Sequence, residues 1–445
     1  MDGTQDSRGQ RAVEKFVPKA ERPPPMPVSG AIPWMRRNLF STVVDSIVTI
    51  VVSGMLGVVI WNIVEWGIVD AVWTADNRRE CMDQSMDGAC WAGPALWFDN
   101  FIYGLYPETE RWRVNLGAVV LALWLAPLFF ARVTAKIPTA ASVVLTYPLF
   151  ASYLFYGGEK GIFWTAISAL GLTMFIMALA NAALELSGGR SIGKVMEDRF
   201  GLTSFRRKAI PVIVLWIAVA VVWSGVELEI VRTVKWGGLF VTLVISGIGI
   251  TFALPAGIML ALGRRSRLPL IKYVCVVFIE VFRSVPLITV LFMATTMVPL
   301  FLPEGVTFDK LLRAIVAVCL FAAAYMAEVV RGGLQSVPKG QPEAAAALGL
   351  DYWRTTSLIV MPQALKLMIP NILSNFIGLF KDTTLVAIIG LFDLLGMVKA
   401  MSNDTNWIGL VDEPYLIAAF IYFCGCFAMS RYAKSLEQRL STERR

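Results

Sequence analysis

At 445 residues, 56% hydrophobic and 16% charged, with 26 Phe and 14 Trp, the chain carries more apolar surface than one soluble core hides, which excludes a soluble fold and predicts an all-α, polytopic membrane protein. The net charge of +7 sits in short Lys/Arg-rich connectors, the pattern of topology signals and not of a nucleic-acid footprint, so no nucleic-acid partner is expected. Histidine is absent, which removes histidine-based triads, HExxH zinc sites and imidazole relays together and leaves no catalytic or metal site to expect.

In chain order, residues 1–40 are rich in Pro, Arg and Lys without apolar periodicity and read as a disordered cytoplasmic tail lacking a cleavable signal pattern. About ten transmembrane helices come after it, near 43–66, 114–132, 138–156, 162–184, 209–227, 236–262, 280–302, 311–332, 366–390 and 413–431. The connectors "RRK" (206–208) and "GRRSR" (263–267), the basic residues around 331–354 and the tail that closes over 436–445 all fall on one side when the spans are counted between them. Both termini are then cytoplasmic, and the loop 67–113 is external. That loop holds Cys81 and Cys90 in an oxidising compartment, where a disulfide is expected, two unpaired thiols being the alternative. Cys275, Cys319, Cys424 and Cys426 fall in apolar spans and read as small hydrophobes.

The texture changes near residue 231. Residues 41–230 give five spans bulky in Trp and Phe, and Asp45, Glu65, Asn181 and Glu185 near their ends receive no transport role. From 231 come "WGGLFVTL", proline-interrupted spans and charges within apolar stretches, with Trp236 expected as an interfacial anchor of the first of these spans. The stretch "EAAAALGLDYWRTTSLIVMP" (343–362) is too polar for lipid and too regular for a loose loop. Glu343 to Leu348 forms helix well, Pro342 suits a first turn, Gly349 breaks the run, and a second helix starts near Asp351 and ends at Pro362. Ala344 to Ala347 would let another surface approach closely and Glu343 could make a charged contact, so the hairpin reads as a docking element for a soluble partner.

The spacing Glu343-Ala344-Ala345, then Gly349, Ile359, Met361 and Pro362, resembles the EAA loop of ABC importer permeases, with Met361 where leucine is usual. In that family the loop, here 334–362, seats in a groove of the ATP-hydrolysing subunit. "EVFRSVPLITVLF", "AYMAEVVRGGLQSVPKGQPEAAAALGL" and "IVMPQALKLMIPNILSNFIGLFKDTTLVAIIG" resemble the polar amino acid permeases (the histidine, glutamine, glutamate and arginine uptake group) over about 234–435. The long N-terminal half is similar only to the long-chain subgroup, the general or glutamate/glutamine/aspartate/asparagine permeases. The resemblance implies a type I ABC importer core in residues 231–435, two ATP-binding cassette subunits that hold ATP and Mg, a second homologous permease in a heterodimer, an external amino-acid-binding protein and a bacterial cytoplasmic (inner) membrane.

Lys381-Asp382-Thr383-Thr384 interrupts an apolar run; the resemblance puts it on the translocation path, where family members read KDTSL, and a Lys beside an Asp offers a zwitterion both counter-charges. The alternative is a pair that pins the helix. Arg283, just before the helix-breaking Pro286, is a candidate carboxylate clamp or a snorkelling interfacial residue, with Glu280 one turn earlier as its partner. Glu328 and Arg331, one turn apart, read as a lip pair or a gate, and Gly332 and Gly333 as a sharp exit from the helix. Asn371, Ser374 and Asn375 line a pore or bridge helices.

The resulting expectation is the permease subunit of an ATP-driven importer for polar L-amino acids, working by alternating access. The chain has no GxxxxGK[ST] and so no ATP site or bound cofactor of its own. The alternative, an ion-coupled secondary carrier using Lys381, Asp382 and Arg283, calls for internal repeats that the sequence does not display and leaves the hairpin unused.

Overall fold

The computed structural model describes residues 30–442 except 131, 160, 190, 193–204, 304, 306 and 307. By contacts the chain forms two compact units, one ending at Ala71 and the other spanning Val72–Arg445. In the first, α1 (Ala31–Asn38) precedes α2 (Val43–Val64), which a π-helical turn prolongs to Val69. The Thr42 hydroxyl accepts from the Asp45 amide at 3.1 Å and so caps α2. The tail expected to be disordered lies outside the described residues up to position 29; from Ala31 it is an exposed helix, with Arg36 and Arg37 in the last turn where the helix dipole favours cations.

The second unit opens with three short helices, α3 (Arg78–Gln84), α4 (Ala92–Leu96) and α5 (Phe98–Tyr103). Then come α6 (Arg111–Phe129), α7 (Lys136–Tyr156), α8 (Ile162–Leu186) and α9 (Phe205–Ser224). The rest are α10 (Gly238–Arg264), α11 (Pro269–Ser284), α12 (Leu287–Phe292), α13 (Lys310–Ser336), α14 (Gly340–Ala347), α15 (Met361–Asp382), α16 (Leu394–Ser402) and α17 (Asp412–Thr442). Only isolated bridges occur as β-structure among the described residues. The last helix runs on through most of the stretch from residue 436 that reads in sequence as a tail.

Among the described residues, eight helices are long and apolar enough to cross a membrane, or nine if a bent pair counts as one, where ten spans are expected. The bent pair is α11 with the turns from Leu287 to Phe301, which meet at 106°. Pro286 has no amide to donate and holds Val285 extended (φ −107°, ψ 134°), so the α11 hydrogen-bond ladder stops there. The tenth place is taken by α9, whose apolar part, Ala209–Ser224, is short for a span.

One hydrophobic core runs from Tyr106 through Trp124, Ile245, Leu291 and Met326 to Leu391, passing without interruption across the change of texture at 231. A second core joins residues 72–101 to α16 and residues 407–418: Cys81, Cys90 and Phe101 pack with Leu394, Met397 and Trp407. The segment expected as a loop over 67–113 is therefore largely a folded cap. A Cys81–Cys90 disulfide closes it, the Arg78 amide donates to the Asn406 carbonyl at 2.8 Å, and the Cys90 amide to Glu413 Oε1 at 2.8 Å. Gly238 (φ 61°) is where cap and core backbones meet; a Cβ there would stand 2.4 Å from the Phe101 carbonyl oxygen. This close approach covers Trp236, expected as an interfacial anchor: its indole is buried against Phe155 and Phe240 and donates to the Val231 carbonyl at 3.1 Å.

Candidate functional site

The hairpin forms as its residues dictate. Helix α14 ends in a left-handed Gly349 (φ 73°), with the Gly349 amide on the Ala346 carbonyl (3.0 Å) and the Leu350 amide on that of Ala345 (3.1 Å), the two bonds of a Schellman cap. Asp351 caps the return arm by accepting from the Arg354 amide at 2.7 Å. Pro362 does not end that arm as expected. A short helix (Tyr352–Arg354) and a π-helical turn (Thr355–Val360) lead directly into α15, and the wider π turn accommodates the amide that Pro362 lacks. Gln363 Nε2 ties the arms by donating to Gln341 Oε1 (3.1 Å) and to the Ile359 carbonyl (2.9 Å). Ala345 is buried inside the hairpin, while Glu343, Ala344, Gly349 and Pro362 are exposed. The apolar surface turned outward belongs to Leu348, Tyr352, Trp353 and Leu358, which the alanine-centred sequence reading missed; an aromatic pair in a polar connector was the available signal.

The return arm, α15 and a 3₁₀ turn (Thr383–Ile389) make one helical run of 38 residues, Tyr352–Ile389. Its far part walls a cavity of about 340 Å³ together with α13; Ser374, Asn375 and Asp382 line it opposite Phe321, Tyr325 and Met326. Asn371, one turn from Asn375, is exposed, and its carbonyl accepts from Asn375 Nδ2 at 3.1 Å. Of the four residues Lys381 to Thr384, the cavity is lined by Asp382. Lys381 is exposed in the last turn of α15, since neighbours in a helix point about 100° apart. The Lys381–Asp382 pair thus does not present both charges to one ligand. Thr383 is buried and its hydroxyl donates to the Phe380 carbonyl (2.8 Å), while that of Thr384 donates to the Lys381 carbonyl (2.9 Å) as the chain tightens into 3₁₀ geometry.

One turn beyond Tyr325 on α13, towards the hairpin, Glu328 gathers three arginines from three helices. Its Oε1 lies 2.9 Å from Arg264 Nη1 (α10) and 3.7 Å from Arg283 Nη1 (α11), and its Oε2 lies 2.7 Å from Arg331 Nη2. Glu280 pairs with Arg264 at 2.9 Å, not with Arg283 as expected. The Arg283 guanidinium also faces the Tyr325 ring, 5.8 Å from its centroid, which links the cluster to the cavity wall. Gly332 and Gly333 do not mark an exit, since α13 continues to Ser336. Gly333 instead lets α15 close in: a Cβ there would stand 2.7 Å from both the Ala364 carbonyl oxygen and Met368 Cγ.

Residues 253–442 match the family described as binding-protein-dependent transport system inner membrane component. The inner membrane amino-acid ABC transporter permease protein YhdY of Escherichia coli (strain K12) is 40% identical over 95% of this chain and 97% of its own length. The glutamate/glutamine/aspartate/asparagine transport system permease protein BztC of Rhodobacter capsulatus is 41% identical over 96% of this chain and 97% of its own. A shorter relative, the probable glutamine ABC transporter permease protein GlnP of Bacillus subtilis (strain 168), is 34% identical over 46% of this chain and 92% of its own. Matched from near end to near end by two long relatives, and carrying the helical hairpin and helix-walled cavity described above, the chain belongs to the amino-acid ABC transporter permeases, inner membrane components of binding-protein-dependent transport systems.

Proposed function

We propose that this permease carries polar L-amino acids inward, glutamate, glutamine, aspartate and asparagine among them, by alternating access around the cavity between α13 and α15. The observation that carries the reading is the single helical run Tyr352–Ile389, with the exposed hairpin surface at one end and the cavity wall at the other. At about 1.5 Å per residue, Trp353 and Ser374 stand roughly 30 Å apart along it, so a push on the hairpin moves the cavity wall as one body. In the cavity, Asp382 offers a counter-charge to a substrate ammonium, and Ser374 and Asn375 offer hydrogen bonds to its polar groups.

Energy comes from two partner subunits that bind ATP and Mg and receive the hairpin through Glu343, Ala344, Gly349, Leu348 and Trp353. A second, homologous permease completes a heterodimer. The hairpin and both termini face the cytoplasm of a bacterial cell, and the disulfide-closed cap faces outward, on the side of the amino-acid-binding protein. The test is uptake of labelled glutamate and glutamine into proteoliposomes holding the whole complex, with the binding protein supplied outside and ATP inside. Uptake that depends on ATP and falls in Asp382→Asn is expected; uptake that runs without ATP on an ion gradient contradicts the reading.

A further inference from the structure

The cluster around Glu328 has the composition of an anion site already filled by the protein itself. Among the described residues, three guanidiniums face two carboxylates, and only Glu328 touches all three, so one positive charge is left over. Arg264 and Arg331 hold Glu328 at hydrogen-bond distance, whereas Arg283 stands back at 3.7 Å. Arg283 is also the one whose guanidinium lies over Tyr325, a residue of the cavity wall. The group least committed to Glu328 is therefore one that also faces the cavity wall.

We propose that Arg264, Arg283 and Arg331 form a carboxylate receptor at the hairpin-side mouth of the cavity, occupied by Glu328 in this conformation and handed to the carboxylate of a departing amino acid, Arg283 making the first contact. This rests on the transport reading above. Separating three arginines from the carboxylate they share would leave partly buried charges uncompensated, which is unfavourable. Replacing one carboxylate by another avoids that cost, and bidentate guanidiniums suit the geometry. The cluster lies between the cavity and the hairpin on α13, so the motion that draws Glu328 away is the motion the hairpin delivers. Every α-amino acid can make the exchange once, and an acidic side chain supplies a second carboxylate, so the receptor favours glutamate over glutamine.

Two measurements test the exchange. The full chain in detergent is compared as wild type, as Glu328→Gln and as Glu328→Gln/Arg283→Gln by thermal unfolding in potassium glutamate and in potassium chloride of equal ionic strength. Glu328→Gln empties the receptor of its own carboxylate, so glutamate is expected to raise its unfolding midpoint beyond the rise seen in wild type, and the excess to disappear in the double variant. No excess, or the same excess in both variants, overturns the proposal. In the reconstituted complex, Arg283→Gln is expected to lower glutamate uptake about tenfold more than glutamine uptake, the scale of one hydrogen bond to a charged group; equal losses overturn the assignment of Arg283, and this arm stands even if Glu328→Gln does not fold. A wild-type complex that imports no amino acid removes the transport reading, while the unfolding comparison reads the receptor without any transport.

Discussion

Replacing Trp353 by alanine is expected to weaken the grip of the ATP-hydrolysing partner without disturbing the permease. Trp353 is 69% exposed, its nearest aromatic neighbour being Tyr352 with ring centroids 5.4 Å apart. A tryptophan offers up to roughly 200 Å², so roughly 140 Å² is free for a partner, worth about 3 kcal/mol if all of it is covered. Ordering costs and incomplete cover reduce this to about 1.5–2 kcal/mol, a 10- to 30-fold loss of affinity. Because the side chain is on the surface, the unfolding free energy should change by only about 0.5 kcal/mol. Titration of purified permease with the ATPase subunit reads the first number, and thermal unfolding the second. Phe301→Ala, which removes a comparably exposed aromatic just before α13 begins, at the far end of that helix from the hairpin, is the control. Unchanged affinity in Trp353→Ala, or an equal loss in Phe301→Ala, refutes the hairpin as the contact.

Other substitutions probe how the molecule is held together. Gly333→Val forces a side chain against the Ala364 backbone and should cost about 1–3 kcal/mol by overpacking, with uptake lost along with stability; a melting midpoint equal to wild type would show that α13 and α15 do not pack this closely. Asp393 caps α16 by accepting from the Gly396 amide at 2.9 Å, and burial pushes its carboxyl up to about 6. The folded state therefore holds this proton more tightly than the unfolded chain does, so the contribution is fully present below about pH 4 and is lost as pH rises through about 6, about 3 kcal/mol in all. Asp393→Asn keeps the cap and should flatten that stretch of the stability curve; the same slope in both proteins would rule out the attribution. Alkylation before and after reduction should differ in mass by two labels at Cys81 and Cys90, and the reduced protein should lose about 2–3 kcal/mol for a loop of this length. Equal labelling contradicts the bridge.

The parts of the fold that were legible in sequence are those set by local chemistry. Gly349 between two helix formers, Pro286 in an apolar run and the apolar lengths themselves located the hairpin, the broken span and most of the helices. The cap was not legible, because Cys81, Cys90 and Phe101 find their core in residues more than 290 positions later, and no periodicity in 67–113 points to Leu394 or Met397. Trp236 reads as interfacial from its type and is buried by the packing of Gly237 and Gly238 on the cap. At the candidate site, the Glu328–Arg331 pair was readable from its one-turn spacing, whereas the approach of Arg264 and Arg283 required three helices to converge. Asp382 and Lys381 looked like one unit in sequence; helical geometry turned one to the cavity and the other away.

If the hairpin couples this permease to ATP hydrolysis, ATPase activity copurifies with the gently extracted chain and depends on the hairpin. Glu343→Lys reverses an exposed charge, and Gly349→Pro cannot adopt the φ of 73° the turn requires. ATP hydrolysis is expected with the wild-type chain and none with the double variant, both chains being present in the membrane. Wild-type hydrolysis retained by the double variant, or no ATPase accompanying the wild-type chain, would contradict it.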